Sequence, residues 1–385
     1  MDAPLGTEWG ENVFFFSLAR HALLQGLKLA GVGSGDSVMM PEFICRELLA
    51  SVHLAGAQPV FYPVDEQLKP VSLPTGKNIK AVVAVDYFGF PQDVAPFRKF
   101  CDSQGAVLIE DNAHGFLSRD PGGQLLGLRG DMGILSIRKT FPLPDGGALV
   151  VNPPSQAGAG MPVSNGSELR GVLDAAHSGQ DALLTRTPRA ASASQACPGL
   201  LDAAPLGLKL EPCMSAPEFR DDPLPLGYRI KSVFRKVQKT TGIPLKTISE
   251  STVRAARQFR TGSPFPKAAP DCEHVIPALP PMHRESFRRL CGQDLPREGE
   301  RRKRLYFAVE KRLEGLDIRP VFGSLPAGVV PYGYPFRADD RTAGLVASRA
   351  GKMGFDCAFW PELPAAVVPT APPHYKNVYW VNFLS

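Results

Sequence analysis

Two short stretches of the sequence carry side chains whose types and spacing suit acid–base and covalent chemistry. The first, 107–114, is an apolar run that ends in Glu110 and Asp111 and reaches a histidine three residues later. The second, 136–150, holds Lys139 before a Gly-Gly pair and another apolar run. An apolar run closed by carboxylates predicts a buried strand that presents an acid at its carboxyl end, where α/β enzymes bind ligands. Such an acid and a nearby lysine are the minimal pair for pyridoxal phosphate (PLP), since the acid pairs with the pyridine nitrogen and the lysine forms a Schiff base.

The elements that must position these residues alternate between helix and strand from Val13 to Val151. Helices are predicted at 21–30, 46–55 and 94–104, and strands at 37–40, 58–61, 81–86 and 106–110. This alternation predicts a mainly parallel sheet covered by helices. The glycines of Gly31–Asp36 end a helix instead of opening one, so they predict a turn and not a dinucleotide-binding loop.

Composition divides the chain into three predicted regions. Residues 13–152 form the large domain, and 153–227 are rich in Pro, Gly, Ser and Ala, which predicts a partly mobile connector with a short helix at 168–176. Residues 228–385 are predicted to hold a basic helical stretch at 228–239, a helix at 297–316 and a small α+β domain. That domain consists of a strand near Val330, a helix at 341–353 and strand material at 377–383. The basic run 301–304 has acidic neighbours, which predicts a solvated helix face and no nucleic-acid site.

Bulk composition is that of a globular protein. The 385 residues are 44% hydrophobic and 21% charged, which allows two domains. A net charge of +5 suits anionic small molecules and is too small to indicate a nucleic-acid partner. The seven cysteines are scattered without Cys-x-x-Cys pairing, which argues against a disulfide framework or a metal site. The polar residues 1–12 do not resemble a signal peptide and no apolar run has the length of a membrane span, so we expect a cytoplasmic protein without a membrane partner.

The two chemical blocks resemble the DegT/DnrJ/StrS family of PLP-dependent aminotransferases, best known for acting on nucleotide-linked keto sugars. That family carries a Glu-Asp-x-Ala-Gln/His block and a lysine seven residues before a Gly-Gly pair, and Lys139 and Gly146 keep this spacing. Asp111 and His114 are three apart, as the family's pyridine-binding acid and ring-contacting residue are. The resemblance covers roughly the first 150 residues, and more loosely those from Val330 onward. It implies an α/β fold of type I, with a mainly parallel large domain and a smaller α+β C-terminal domain.

By this resemblance Lys139 is the catalytic Schiff-base lysine, Asp111 pairs with the pyridine nitrogen, and His114 lies near the ring or its phenolic oxygen. Each residue also has a plain structural interpretation: a surface lysine, a helix-capping aspartate and a buried core histidine. Glu110 points to the opposite face of the strand and is interpreted as structural. The spacing of several motifs in order favours the cofactor-binding interpretation.

The remaining cofactor contacts are predicted around the start of the first helix. Residues 17–20 precede that helix where the family has its phosphate-binding turn, so Ala19 and Arg20 would supply amides and Arg20 a charge. Ser136 would add a hydroxyl, and the alternative is that Ser17 is an ordinary N-cap. Cys45 occupies the place where many family members stack an aromatic ring on the cofactor, and we expect it to contact the cofactor.

The predicted activity is transfer of an amino group from glutamate or glutamine to a keto acceptor, by resemblance a nucleotide-linked keto sugar, in a homodimer. Lys139 would carry the proton between substrate and cofactor. One alternative is a PLP enzyme acting on a non-sugar ketone, or a dehydratase, although family dehydratases replace the lysine by histidine. The other is a non-catalytic, regulatory PLP-binding relative, which Cys45 and the lack of the family's closing helix after Phe383 favour. The presence of both Asp111 and Lys139 favours catalysis.

Overall fold

The computed structural model describes residues 9, 12–76, 78–152, 219–241, 268–276 and 279–384, and four positions between 252 and 260. The predicted helix at 168–176, and most of the predicted connector 153–227, lie outside the described residues. The domain boundaries therefore stay predictions.

A seven-stranded sheet carries the chemical blocks. Its strands are β1 (Val13–Phe16), β2 (Ser37–Pro41), β3 (Gln58–Tyr62), β4 (Ile79–Val85), β5 (Val107–Asn112), β6 (Met132–Leu135) and β7 (Gly147–Val151), in the spatial order β1-β7-β6-β5-β4-β2-β3. Strands β3, β2, β4, β5 and β6 are parallel, and β7 is antiparallel to both of its neighbours. All residues of β5 are buried, because the central strands of a parallel sheet are covered on both faces. The predicted mainly parallel sheet is confirmed.

Seven α-helices of four residues or more are fully described. They are α1 (Ala19–Leu29), α2 (Leu49–Leu54), α3 (Ala95–Gln104), α4 (Leu226–Thr241), α5 (Arg284–Cys291), α6 (Leu295–Leu313) and α7 (Asp340–Gly351). The predicted helix at 46–55 divides into a 3-10 turn at Arg46–Leu48 and the shorter α2. None of the described helices combines the length and apolarity that crossing a bilayer requires.

A second, smaller sheet lies in the C-terminal part of the chain. Its strands are β8 (Arg319–Pro320), β9 (Gly333–Arg337), β10 (Asp356–Phe359) and β11 (Val378–Asn382), all antiparallel, in the order β10-β11-β9-β8. The strand predicted near Val330 begins instead at Gly333. The reason is that Pro331 has no N–H for a ladder, and both backbone groups of Val330 bond to the Ser118 hydroxyl.

The predicted solvated face at 301–304 is wrong for Arg302, whose side chain is 1% exposed. Its guanidinium donates to the carbonyls of Thr140 at 2.7 Å and Tyr332 at 3.0 Å, and its Nε donates to Glu298 at 2.8 Å. Buried carbonyls of irregular segments need donors, and an arginine fork supplies several at once. Arg302 thus holds the turn after Lys139 to the segment that leads into β9.

The fold brings the chemical blocks to one edge of the large sheet. Val85 at the end of β4 pairs in register with Asp111 on β5, and Asp111 pairs with Ile134 on β6. Ser136 and Lys139 follow directly after β6. Since these three strands are parallel, their carboxyl ends lie side by side and form a ligand-binding edge.

Candidate active site

The Gly-Gly pair fits the lysine turn against the start of α1. A Cβ on Gly147 would lie 2.3 Å from the Leu18 carbonyl carbon and 2.4 Å from the Ala19 nitrogen, so only glycine allows this approach. The Gly146 amide donates to the Ser17 carbonyl at 2.8 Å, and its own carbonyl accepts from the Arg138 amide at 3.2 Å. The glycines therefore give a physical reason for the spacing between Lys139 and the following strand.

Asp111 is a buried carboxylate at the end of β5. Its Oδ1 accepts from the Ala113 amide at 3.0 Å, and among the described residues it forms no ion pair. Burial raises the pKa of Asp111, and nearby Lys139 and the Ala113 amide partly counteract that rise. A buried carboxylate without a cationic partner fits a protonated pyridine nitrogen, which would supply the missing positive charge.

Lys139 and His114 meet at this edge, with Lys139 Nζ 3.1 Å from His114 Nε2. The other ring nitrogen, Nδ1, accepts from the Phe88 amide at 3.2 Å. Burial lowers the pKa of His114 well below its ordinary value, with a further contribution from Lys139, so the ring is neutral. A neutral imidazole that accepts at Nδ1 carries its proton on Nε2, and that N–H faces the Lys139 amine.

The amine of Lys139 is the acceptor in this contact, which requires a neutral lysine. Burial is the largest cause that lowers the pKa of Lys139, and Arg138 adds to the effect, while Asp111 opposes it. An unprotonated amine is the form that attacks a carbonyl carbon. Burial therefore shifts the lysine towards the neutral form that the hydrogen-bond geometry requires.

Aromatic rings from distant parts of the chain hold the His114 imidazole in place. The Tyr332 ring stacks on it at a centroid distance of 4.5 Å and an interplanar angle of 10°, and Trp380 stacks on Tyr332 at 4.4 Å. Phe88 stacks less closely, at 5.6 Å, and its backbone has a positive φ of 56°. A bulky residue with positive φ is strained, and here the strained turn aims an amide at Nδ1.

A cluster of anion-binding groups lies at the start of α1. Leu18 is the N-cap and has no side-chain cap, so the amides of Ala19 and Arg20 have no partner within the helix. Arg20 lies 3.9 Å from Glu47, which is a loose ion pair. Ser17 is not an ordinary N-cap, because its hydroxyl donates to the Leu279 carbonyl. Free amides and a guanidinium at a helix start suit a phosphate.

Seven predicted site residues line one cavity: Ala19, Arg20, Cys45, Asp111, His114, Ser136 and Lys139. Their roles toward a cofactor stay predictions. The sequence did not indicate Trp360, which lines the same cavity and lies edge-on to His114 at a centroid distance of 5.1 Å. A single tryptophan far from both chemical blocks belongs to no recognisable motif, so the sequence alone does not predict that it lines the cavity.

Cys45 lies in the cavity wall without the properties of a reactive thiol. Its Sγ is 3.5 Å from Glu47 Oε2, and burial raises its pKa to about 12. The thiol is therefore protonated. Phe43, two residues earlier, is fully buried and packs edge-on against Trp360 at 5.4 Å, outside the cavity lining. Trp360, by contrast, contributes an aromatic ring to the lining of the same cavity.

Glu110 points away from the cavity, as predicted from strand alternation. Its Oε1 accepts from Arg129 Nε at 2.7 Å, and Arg129 also bonds Asp86 at 2.7 Å. All three side chains are at most 5% exposed. Burial and the nearby Glu110 carboxylate raise the pKa of Asp86. This cluster fastens the ends of β4 and β5 below the cavity and has no direct contact with Lys139.

The sheet order, with a lysine at its carboxyl edge, is that of the type I fold. The aminotransferase TlmJ from Streptoalloteichus hindustanus has this fold, with a TM-score of 0.55 at 19% identity over 97% of this chain and 80% of that one. Residues 11–165 match the model of the DegT/DnrJ/EryC1/StrS aminotransferase family.

Curated relatives match the same part of the sequence. GDP-perosamine synthase from Vibrio cholerae is 31% identical over 138 residues, which are 34% of this chain and 37% of the relative. A dTDP-4-dehydro-2,3,6-trideoxy-D-glucose 4-aminotransferase from Saccharopolyspora spinosa is 32% identical over 108 residues, 27% of this chain and 28% of the relative. The matched segments therefore span about a third of these relatives.

Proposed function

We propose that this protein is a PLP-dependent aminotransferase. One observation carries the proposal: the amine of Lys139 lies 3.1 Å from His114 Nε2, in a cavity that is also lined by the carboxylate of Asp111. The family match supports it, as does the Saccharopolyspora spinosa relative, which is named a 4-aminotransferase of a dTDP-linked sugar. The donor set fits the cofactor, since it combines an amine, an unpaired carboxylate and a helix start with free amides.

The residues divide the chemistry among them. When bound, PLP supplies an aldehyde that takes up an amine and a ring that withdraws electrons from the neighbouring carbon. Asp111 would pair with the ring nitrogen and keep it protonated, and that positive charge would offset the burial that raises the pKa of Asp111. Lys139 Nζ, held neutral, accepts a proton from the α carbon of the amino donor and later returns one to the acceptor carbon. His114 keeps its Nε2–H on the cavity side.

We assign the substrates from the relatives. The acceptor in this proposal is a nucleotide-linked keto sugar, as the names of the Vibrio cholerae and Saccharopolyspora spinosa proteins suggest, and the donor is glutamate or glutamine. We also propose a cytoplasmic homodimer. Light scattering of the purified protein tests the dimer, and a monomer with full activity would contradict it.

The experiment is an absorbance titration with PLP, followed by glutamate. The wild-type protein is expected to develop a visible band that disappears when glutamate is added, because the amino group of the donor is left on the cofactor. Lys139→Ala should show no such band, whereas Lys99→Ala, an exposed lysine on α3, should behave like the wild type. A band that no amino donor changes would favour the binding-only relative. If the protein reacts with the donor and then aminates only a non-sugar ketone, the proposed sugar acceptor is wrong.

A further inference from the structure

Arg138 lines the cavity with a side chain that has no hydrogen-bond or ion-pair partner among the described residues. It belongs to the 3-10 turn Ile137–Lys139, directly before the catalytic lysine, and it faces the same cavity. Its Nε is buried without a hydrogen-bond partner. Within the part of the chain that the structure describes, its guanidinium makes no hydrogen bond and no ion pair. Burying a guanidinium without a partner costs free energy, so the position of Arg138 calls for a functional explanation.

Other buried arginines in the described part of the protein form hydrogen bonds or ion pairs, in contrast to Arg138. Arg129 bonds two carboxylates, and Arg302 bonds Glu298 and several carbonyls. Arg337, on β9, bonds the Asn377 side chain at 3.0 Å. These three buried guanidinium groups therefore all have partners. Arg138 departs from that pattern in the wall of the cavity that also holds Lys139.

The surroundings of Arg138 show what it would bind. Its backbone is fixed against the start of α1 by the hydrogen bond to Gly146, so its side chain and Arg20 line one cavity. Burial lowers the pKa of Arg138 and Arg20 adds to this effect, while Tyr332, Glu47 and Asp145 oppose it. Glu47 lines the cavity too, yet it forms no ion pair with Arg138.

We propose that Arg138 is a second anion-binding residue of the cavity, beside Arg20, that receives an oxyanion through its planar fork of N–H groups. The oxyanion is the phosphate of the cofactor or the carboxylate of the amino donor, so the assignment rests on the proposed function. A guanidinium is the side chain best suited to either group, because it pairs with two oxygens at once.

The test compares Arg138→Met with Arg138→Lys and the wild type. If Arg138 holds the cofactor phosphate, Arg138→Met weakens PLP binding by roughly 10- to 100-fold and leaves binding of pyridoxal, which lacks the phosphate, unchanged. If it holds the donor carboxylate, PLP binding is unchanged and the glutamate concentration that removes the visible band rises by a similar factor. Arg138→Lys should fall between, since it keeps the charge and loses the fork. The proposal would be wrong if the wild type, Arg138→Met and Arg138→Lys bound PLP with equal affinity and lost the visible band at the same glutamate concentration.

Two further readouts separate this role from a structural one. Without ligand, Arg138→Met should melt at the same temperature as the wild type or higher, because it removes an unpaired buried charge. A structural arginine gives the opposite result, as expected for the control Arg98→Met, since Arg98 pairs with Asp131 at 3.1 Å. If PLP fails to bind the wild type, the proposed function fails, and inorganic phosphate becomes the probe. Phosphate that raises the melting temperature of the wild type and not of Arg138→Met upholds the anion site, and equal responses reject it.

Discussion

At the scale of single residues, the state of Lys139 depends on a backbone amide. The Phe88 N–H donates to Nδ1 of His114, which leaves the proton of the neutral ring on Nε2 and directs it toward Nζ at 3.1 Å. This hydrogen bond requires a neutral lysine, and burial lowers the pKa of Lys139 in the same direction. A side-chain partner at Nδ1 would not fix the tautomer so firmly, because carboxylates and hydroxyls change protonation or rotate.

The lowered pKa of Lys139 predicts the pH dependence of cofactor uptake. Uptake needs the free amine, so its rate rises with pH and levels off once the pH passes the pKa of Lys139 in the folded protein. Because that pKa lies below 10.5, the plateau should begin at lower pH than for Nα-acetyl-lysine in solution. Stopped-flow absorbance after mixing with PLP between about pH 6 and 11 measures both curves. A midpoint at or above that of the free amine would contradict the neutral lysine.

At the scale of elements, the close approach between β7 and the start of α1 sets the shape of the cavity. Gly147 lets the backbone of Leu18 and Ala19 pass where any side chain would collide. Lys139 on one side and the free amides on the other are thereby held across the same cavity. The glycine pair thus affects the chemistry only by setting the distance between Lys139 and the amides at the start of α1.

Replacing Gly147 by alanine tests that role. The new Cβ would meet backbone atoms at 2.3 and 2.4 Å, so β7 and α1 must separate, at a cost of about 1–3 kcal/mol in the free energy of unfolding. PLP affinity should fall as well, because the amides move away from Lys139. Gly344→Ala, in α7 with open space around it, is the matched control and should be neutral or stabilising by up to about 1 kcal/mol. Denaturant unfolding and PLP titration check both, and an unperturbed Gly147→Ala would refute the steric argument.

Local sequence patterns predicted the parallel sheet and the residues at its carboxyl edge. Strand-ending carboxylates and a lysine at fixed spacing are signals that lie within a few residues, so Asp111 and Lys139 were recognisable. The patterns failed for residues whose surroundings depend on contacts between distant parts of the chain. Arg302 resembles a surface residue because its neighbours in sequence are charged, yet its partners are carbonyls of residues 140 and 332. Trp360 and the strained Phe88 turn likewise depend on segments far apart in the chain.

At the scale of the whole molecule, the C-terminal part completes a cavity built by the large sheet. Tyr332, just before β9, stacks on His114, and Trp360, just after β10, lines the cavity opposite residues of the first 150. Arg302 on α6 ties the Lys139 turn to the Tyr332 carbonyl. The two sheets are therefore joined through the candidate active site itself.

This arrangement predicts that Trp360 supports cofactor binding, as an aromatic wall that Cys45 does not provide. Trp360→Ala should weaken PLP binding by roughly tenfold, because it removes the ring that packs edge-on against His114, while Trp360→Phe should stay within a few-fold. Trp9→Ala is the matched control. Trp9 is buried against Phe116 at 5.5 Å, so its loss should lower the melting temperature by a comparable amount and leave PLP affinity unchanged. Absorbance titration and thermal unfolding of the three variants measure both quantities, and if Trp9→Ala and Trp360→Ala lose affinity equally, Trp360 contributes only to general stability.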